Sequence, residues 1–516
     1  MPSPAAAPAK RKIADRSSGS SVVTGANSNA HDPAISPPPT KRKTQASVSK
    51  TVVANFFTPA SQKPKPPKPP PSQVTWEERA PAEGQPTSLL VATFGGGARR
   101  QPVIAPIKVA AFDLDSTLIT TASGKKHAEG AGDWAWWDRR VPERLRALHD
   151  DGFQVIIFSN QGGLALHPDP KKDAKKKKND TQDRVADFKK KCALVLTDLG
   201  LPVTLYAATG KDRFRKPRTG MWEEMVQDVG SRMASHDRDK SASATEDKQD
   251  KVGARADQKQ DAQTVDVDNS FFVGDAAGRP ATVRNGKNVP KDFSCSDRNL
   301  AANVGVRFET PEEYFLGEAP RPFTRAFDLD DHPFEDPSPT TATATTAASP
   351  FVKGTAPELV VFCGPPGAGK STFFRTHLAP LGYERVNQDT LKTKEKCLKA
   401  AAAHLQDGAS VVVDNTNPDP ATRALWVDLA KKAGVAVRCV WFTTSPATCE
   451  HNDAVRALNK ALNPDNREAL PRIAFNGFFS RFREPKPAEG FADITQVAFA
   501  FRGTAAEYAM WGKYWL

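Results

Sequence analysis

VAAFDLDSTLI, residues 109–119, opens as an unbroken apolar run and then presents two carboxylates, Asp113 and Asp115. An apolar stretch of this kind suits a strand buried on both faces, as in a parallel sheet. The two-residue period of a strand sends both aspartates to one side of the sheet's carboxyl edge, where α/β proteins bind ligands. Working outward, QVIIFSN (154–160), VTLYAAT (203–209) and SFFVGD (270–275) read as further buried strands. Amphipathic segments such as 181–199 lie between them, so strand alternates with helix and a doubly wound parallel sheet is expected.

A lone Asp-x-Asp pair is common in exposed turns. Three later residues change its meaning: Ser159 ends the second strand, Lys216 lies in FRKPRTGMW, and Asp275 ends the fourth strand. Buried strand ends are costly places for carboxylates unless a cation pairs with them. The set therefore suits phosphoryl chemistry. One aspartate attacks phosphorus, the other transfers the leaving-group proton, Mg²⁺ bridges carboxylates and phosphate, and Ser and Lys hold the phosphoryl oxygens.

FDLDSTLI, FSNQ, the lysine of FRKP and VGDAAGR together resemble the haloacid dehalogenase superfamily. The resemblance implies Asp113 as nucleophile, Asp115 as acid/base, Ser159 and Lys216 as phosphate binders, and Asp113, Asp115 and Asp275 around Mg²⁺. Ser116 stands where that family more usually has Gly. Asp297, in FSCSDR, is open to two readings: support for the site, or the cap of a local turn.

A Thr/Ala/Ser/Pro linker, 337–350, precedes a second strand–loop–helix pattern in which ELVVFCG (358–364) runs into a full P-loop. In Gly364-Pro-Pro-Gly367-Ala-Gly369-Lys370-Ser371-Thr372 the glycines let backbone N–H groups face phosphates. Lys370 reaches the β/γ-phosphates of ATP and Ser371 holds Mg²⁺. SVVVDN (410–415) and AVRCVWFT (436–443) read as further strands of a second doubly wound α/β domain. On the acceptor side, Asp389 of ERVNQD either takes a hydroxyl proton or caps the next helix. Asp414 assists Mg²⁺ or ends a strand in a plain turn, and Arg456 clamps ATP phosphates or lies on a solvated helix face.

The order of these parts, with the strings KDFSCSDRN, TPEEYFLG, VNQDT, DNTNP and PAEGFADI, resembles the bifunctional polynucleotide kinase 3′-phosphatases of DNA end repair over roughly 100–516. The resemblance implies a haloacid dehalogenase-like 3′-phosphatase at 96–336 and a P-loop 5′-kinase at 351–516, using Mg²⁺ and ATP. Asp389 would activate a 5′-hydroxyl and Arg456 would belong to a phosphate-clamping lid. The partner would be a DNA strand-break end, single- or double-stranded, and other repair proteins. RNA ends are the rival substrate, because these groups see only phosphates and a hydroxyl. A nucleic-acid scaffold with decayed sites is the rival of another class, opposed by the presence of every expected catalytic residue.

Composition agrees. The 516 residues carry a net charge of +12, which favours a polyanionic partner. Six scattered cysteines form no CxxC pair, no apolar run is long enough to span a membrane, and a monomer is the default. Residues 1–95, rich in Pro, Ser, Ala and Lys, read as a disordered tail, and 171–178 and 231–265 as mobile hydrophilic insertions. Lys10-Arg11-Lys12 and Lys41-Arg42-Lys43 suit nuclear localisation. Val52, Val53, Phe56 and Phe57 have the approximate spacing of a sliding-clamp-binding peptide over 50–57, although Lys50 stands where that motif has Gln. Animal members of the family carry a forkhead-associated domain in the place of this tail, so recruitment here is expected to differ. Arg213, Arg215 and Arg218, around Lys216, are candidates for gripping nucleic acid.

Overall fold

Strand β3 (Val109–Phe112) divides its side chains between two cores. Ala110 and Phe112 join one cluster with Val141, Leu145, Phe188 and Leu196, while Val109 and Ala111 join another with Met221, Met225, Val229 and Leu300. Helices Val141–Asp150 and Lys178–Leu199 thus cover one face, and Gly220–Ala242 and Ser296–Val304 the other. Full burial of a Phe is worth about 1.5–3 kcal/mol. Phe112 is fully buried against the rings of Phe271, Tyr314 and Phe315, which fixes the strand that carries Asp113.

The computed structural model describes residues 74–95, 106–167, 178–242, 264–284, 286–334, 351–464 and 466–516, all within the compact unit Pro71–Leu516. In chain order the first half contains β1 (Val74–Arg79), β2 (Leu89–Phe94), β3, β4 (Ile119–Thr120), β5 (Ala135–Trp136), β6 (Gln154–Asn160), β7 (Val203–Ala208), β8 (Phe271–Val273), β9 (Thr282–Arg284), β10 (Lys287–Val289) and β11 (Arg307–Glu309). Seven of them form one sheet, ordered β1-β2-β7-β6-β3-β8-β11. From β7 to β11 it is parallel, and the order reverses on either side of β3. The four buried strands expected from sequence are its centre.

Two expectations are corrected. The tail does not extend to residue 95, because β1 and β2 form an antiparallel pair that adds to β7. The apolar run Leu89–Val91 is buried in the sheet, and its short length beside a Pro- and Glu-rich stretch hid it. The sheet is consequently mixed at one edge. Likewise, 231–242 of the hydrophilic insertion continues helix Gly220–Ala242, since a polar sequence without Pro keeps its backbone bonds satisfied in a helix. Residues 1–73 with the basic clusters and the 50–57 peptide, most of the lysine run, 243–263 and the 337–350 linker lie outside the described residues.

The second half contains β12 (Glu358–Cys363), β13 (Glu384–Val386), β14 (Val411–Val413), β15 (Ala436–Phe442) and β16 (Ile494–Val497), all parallel in the order β13-β14-β12-β15-β16. Its centre, β12, is buried along its whole length and leads directly into the P-loop. Both halves are therefore α/β with the expected residues at strand ends, the position in which open α/β sheets bind ligands.

Candidate active sites

In the first half the end of β3 delivers Asp113, whose N–H donates to Val273 O at 2.9 Å and locks it beside β8. The chain then turns sharply through Ser116, at φ 65°. A non-Gly residue in this left-handed region costs about 1 kcal/mol, which is the physical reason a Gly is more usual there. Lys216 is buried; its Nζ donates to Asp113 Oδ1 and to Phe158 O at 2.8 Å, and lies 2.8 Å from Asp297 Oδ1. Burial opposes the ammonium charge, but the Asp113 and Asp297 carboxylates outweigh it and hold the Lys216 pKa above its usual value.

Asp113, Asp275 and Asp297 bring carboxylate oxygens within 4.8 Å of one another. Burial first, then the neighbouring carboxylates, pushes Asp113 well up, and burial with Asp297 pushes Asp275 up to about 7. Asp297 Oδ1 is buried, and the Lys216 ammonium 2.8 Å away is shared between it and Asp113. Three crowded carboxylates against a single ammonium leave negative charge in excess and fit a divalent cation, which takes oxygen ligands of this kind. Gly274 makes the crowding feasible: a Cβ there would stand 2.4 Å from Asp297 Oδ2.

The side chains expected around the metal do not all converge. Asp297 joins Asp113 and Asp275, whereas the Asp115 carboxylate does not. It turns outward, half exposed, and accepts from Lys191 Nζ at 3.0 Å and Gln161 Nε2 at 2.6 Å. Two residues along a strand end share a side of the sheet, but the turn at Ser116 lets their side chains diverge. Cys295, not Asp297, is the N-cap of helix Ser296–Val304, while Asp297 Oδ2 accepts from Ala276 N at 3.1 Å. Asp297 lies 22 residues beyond Asp275 with no periodic relation to it, so its local string left its role open. Ser159 is buried at the end of β6, its Oγ accepting from Gln161 Nε2 at 2.9 Å. Of the flanking arginines, Arg213 is committed to Glu223, Glu224 and Pro81 O. Arg215 Nη1 and Arg218 Nε are buried without partners among the described residues, and burial lowers both pKa values, that of Arg218 to about 10.

In the second half Gly367 (φ 78°) and Gly369 (φ 90°) adopt left-handed conformations that shape the P-loop. A Cβ on Gly367 would lie 2.3 Å from Cys449 O, so this loop is seated directly on helix Pro446–Leu458. Lys370 is buried and folds back to donate to Gly364 O at 3.0 Å and Pro365 O at 2.6 Å; burial pushes its pKa down. Ser371 Oγ donates to the buried Asp414 Oδ2 at 2.8 Å. Hydroxyl, carboxylate and turned-back ammonium fit a nucleotide triphosphate with its Mg²⁺. Thr372 follows Ser371 on the first helical turn. Arg385, which the sequence reading did not single out, pairs with Asp414 and donates to Ser371 Oγ at 3.0 Å.

Asp389 is not the helix cap. Asn387 is, accepting from Asp389 N and Thr390 N, and this leaves the Asp389 carboxylate 70% exposed and 3.0 Å from Arg467 Nη1. Arg456 pairs with Asp453, which also accepts from Leu470 N, while Arg456 Nε is buried without a partner among the described residues. The structure thus ties Arg456 to the loop before helix Arg472–Arg481.

One buried neutral histidine gives a pH prediction. His451 is 1% exposed, and burial lowers its pKa from 6.5 to about 4, against the opposing bond to Trp511 O and with His332 nearby. The unfolded chain then binds a proton between those values that the folded chain refuses, so stability falls as pH drops through this window. From pH 7.5 to 5 the loss through His451 is about 2 kcal/mol. The fall in Tm over that range is expected to shrink in His451→Gln.

An aspartate cluster at one sheet edge and a P-loop at another define a two-site phosphoryl-transfer chain. The family described as polynucleotide kinase 3 phosphatase matches residues 108–244 and 250–315, and an AAA domain family matches 359–485. The chain is 35% identical over 415 residues to the bifunctional polynucleotide phosphatase/kinase of Schizosaccharomyces pombe, covering 80% of this chain and 83% of that one. It is 30% identical over 420 residues to a putative bifunctional polynucleotide phosphatase/kinase of Acanthamoeba polyphaga mimivirus, covering 79% and 88%. The chain belongs to the bifunctional polynucleotide phosphatase/kinase family. Among the described residues no helix is long and apolar enough to cross a membrane.

Proposed function

We propose that this enzyme removes 3′-phosphates and phosphorylates 5′-hydroxyls at DNA strand breaks, leaving ends that a ligase can join. The observation that carries this reading is the pairing, in one chain, of the Lys216-braced Asp113 with a complete P-loop. In the first reaction Asp113 Oδ forms a bond to phosphorus as the bond to the 3′ oxygen breaks, and Asp115 supplies that oxygen with a proton. Asp115 then takes a proton from water, whose oxygen displaces Asp113 and releases inorganic phosphate. Its half-exposed position between Lys191 and Gln161 suits exchange with solvent. Lys216 and Ser159 hold the phosphoryl oxygens. Asp113, Asp275 and Asp297 would hold Mg²⁺, which when bound offsets the charge between carboxylates and phosphate.

In the second reaction Lys370 exchanges the Gly364 and Pro365 carbonyls for the β/γ-phosphate oxygens of ATP, cradled by N–H groups of Gly367, Gly369 and Thr372, while Gly364, its N–H held by Thr416 O, opens the loop. Ser371 and Asp414 would hold its Mg²⁺. Asp389 accepts the proton of the 5′-hydroxyl as that oxygen attacks the γ-phosphorus and ADP leaves. Arg456 clamps the phosphates from the lid side.

The net charge of +12 suits either polyanion, and the basic clusters of the tail, read as nuclear-localisation signals, favour DNA over RNA. The clamp-binding reading of 50–57 rests on sequence spacing alone. Paired assays on nicked, gapped and overhanging DNA and on matching RNA, reading phosphate release and ATP-dependent 5′ labelling together, test the proposal. Both activities are expected on DNA, with phosphatase activity independent of ATP; activity confined to RNA would overturn the substrate assignment.

A further inference from the structure

The segment Trp511–Tyr514 touches both sites through one asparagine each. At the P-loop end, Trp511 Nε1 donates to Asn452 Oδ1 at 2.7 Å, and Asn452 Nδ2 donates to Gly367 O at 2.9 Å. The indole thus fixes which way the amide faces, and the amide fixes a carbonyl of the phosphate-binding loop. At the phosphatase end, Tyr514 N donates to Asn303 Oδ1 at 2.7 Å, and Asn303 Nδ2 donates to both Tyr514 O at 2.7 Å and Pro217 O at 2.8 Å. Pro217 directly follows Lys216.

The segment is held firmly enough to transmit position. Trp511 and Tyr514 are both buried. His451 lies 2.9 Å from Trp511 O through Nε2, and its ring stacks on Phe327 at 3.8 Å. Arg325 sits over the Tyr514 ring at 4.6 Å, and Tyr508 Oη donates to His332 O at 2.7 Å. Residues 325–332, arriving from the first half, thereby clasp the end of the second.

We propose that Trp511 and Tyr514 form a bridge of positioning residues shared by the two sites. Trp511 sets the P-loop through Asn452, and the Tyr514 backbone sets the Lys216–Pro217 segment through Asn303. The proposal rests on the two-site reading above. Neither residue contacts a reacting atom; each acts by removing freedom from a group that contacts substrate.

The test uses the full chain without Tyr514–Leu516, with Trp511→Phe and Asn303→Ala as single-end variants. Loss of one orienting hydrogen bond corresponds to about 3–10-fold. Trp511→Phe, which keeps the ring and loses the N–H, should raise the KM for ATP by that factor with kcat nearly unchanged. Asn303→Ala should lower the 3′-phosphatase kcat and leave the KM for ATP alone. The truncation should do both, because it removes the Tyr514 backbone partner of Asn303 and loosens Trp511. Melting temperatures separate these effects from general unfolding, and if the truncated chain does not fold, the two single variants decide. A folded truncation with parental kinetics at either site, or an inert Trp511→Phe or Asn303→Ala, overturns the bridge. Absence of either activity in the parent chain would instead contradict the functional reading.

Discussion

Asp113→Asn abolishes release of 3′-phosphate, by about a thousandfold or more, and leaves ATP-dependent 5′ labelling near the parental rate. An amide is isosteric with the carboxylate but does not attack phosphorus, so no covalent intermediate forms. The fold is expected to tolerate the change. Burial disfavours the charged form of Asp113, and a neutral side chain of the same shape relieves that cost. Against this, Lys216 loses one of two carboxylates and keeps Asp297. The two effects oppose, and a Tm within a few degrees of the parent is expected. A folded Asp113→Asn chain that also lost 5′ labelling would contradict the independence of the sites.

Lys370→Ala should have the reciprocal effect: loss of 5′ phosphorylation by about a hundredfold or more, with phosphate release preserved. Lys370 is the buried cation that turns back onto Gly364 O and Pro365 O, and burial already presses it towards the neutral form. Arriving phosphates give that charge a better partner than two carbonyls do, so its contribution is expected to grow as charge shifts in the transition state. Lys370→Met, which preserves volume, separates this electrostatic role from packing: it should fail in catalysis like Ala while melting closer to the parent. Recovery of the parental rate in Met would show that the charge is dispensable.

Much of the fold could be read because buried parallel strands announce themselves locally. QVIIFSN became β6 at its expected bounds, and ELVVFCG became β12 running into the P-loop. The P-loop residues were legible for the same reason, since their chemistry depends on neighbours in the chain. The strands β1 and β2 were missed because an edge pair is stabilised by pairing with β7, a partner more than a hundred residues away. Arg385 and Arg467 were not singled out as site groups, and Asp297 was left between two readings, because each reaches its partner across the fold.

By itself the sequence determined two α/β sheets, a carboxylate-bearing strand end in one and a phosphate-binding loop in the other. Apolar runs, glycine spacing and residue type act over a few residues and survive without long-range contacts. Only the tertiary structure decided which carboxylates share a charge. It grouped Asp297 with Asp113 and Asp275, turned Asp115 outward, and placed Trp511 and Tyr514 between the two sites. Those outcomes depend on distances between residues far apart in the chain, which packing sets and local pattern does not encode.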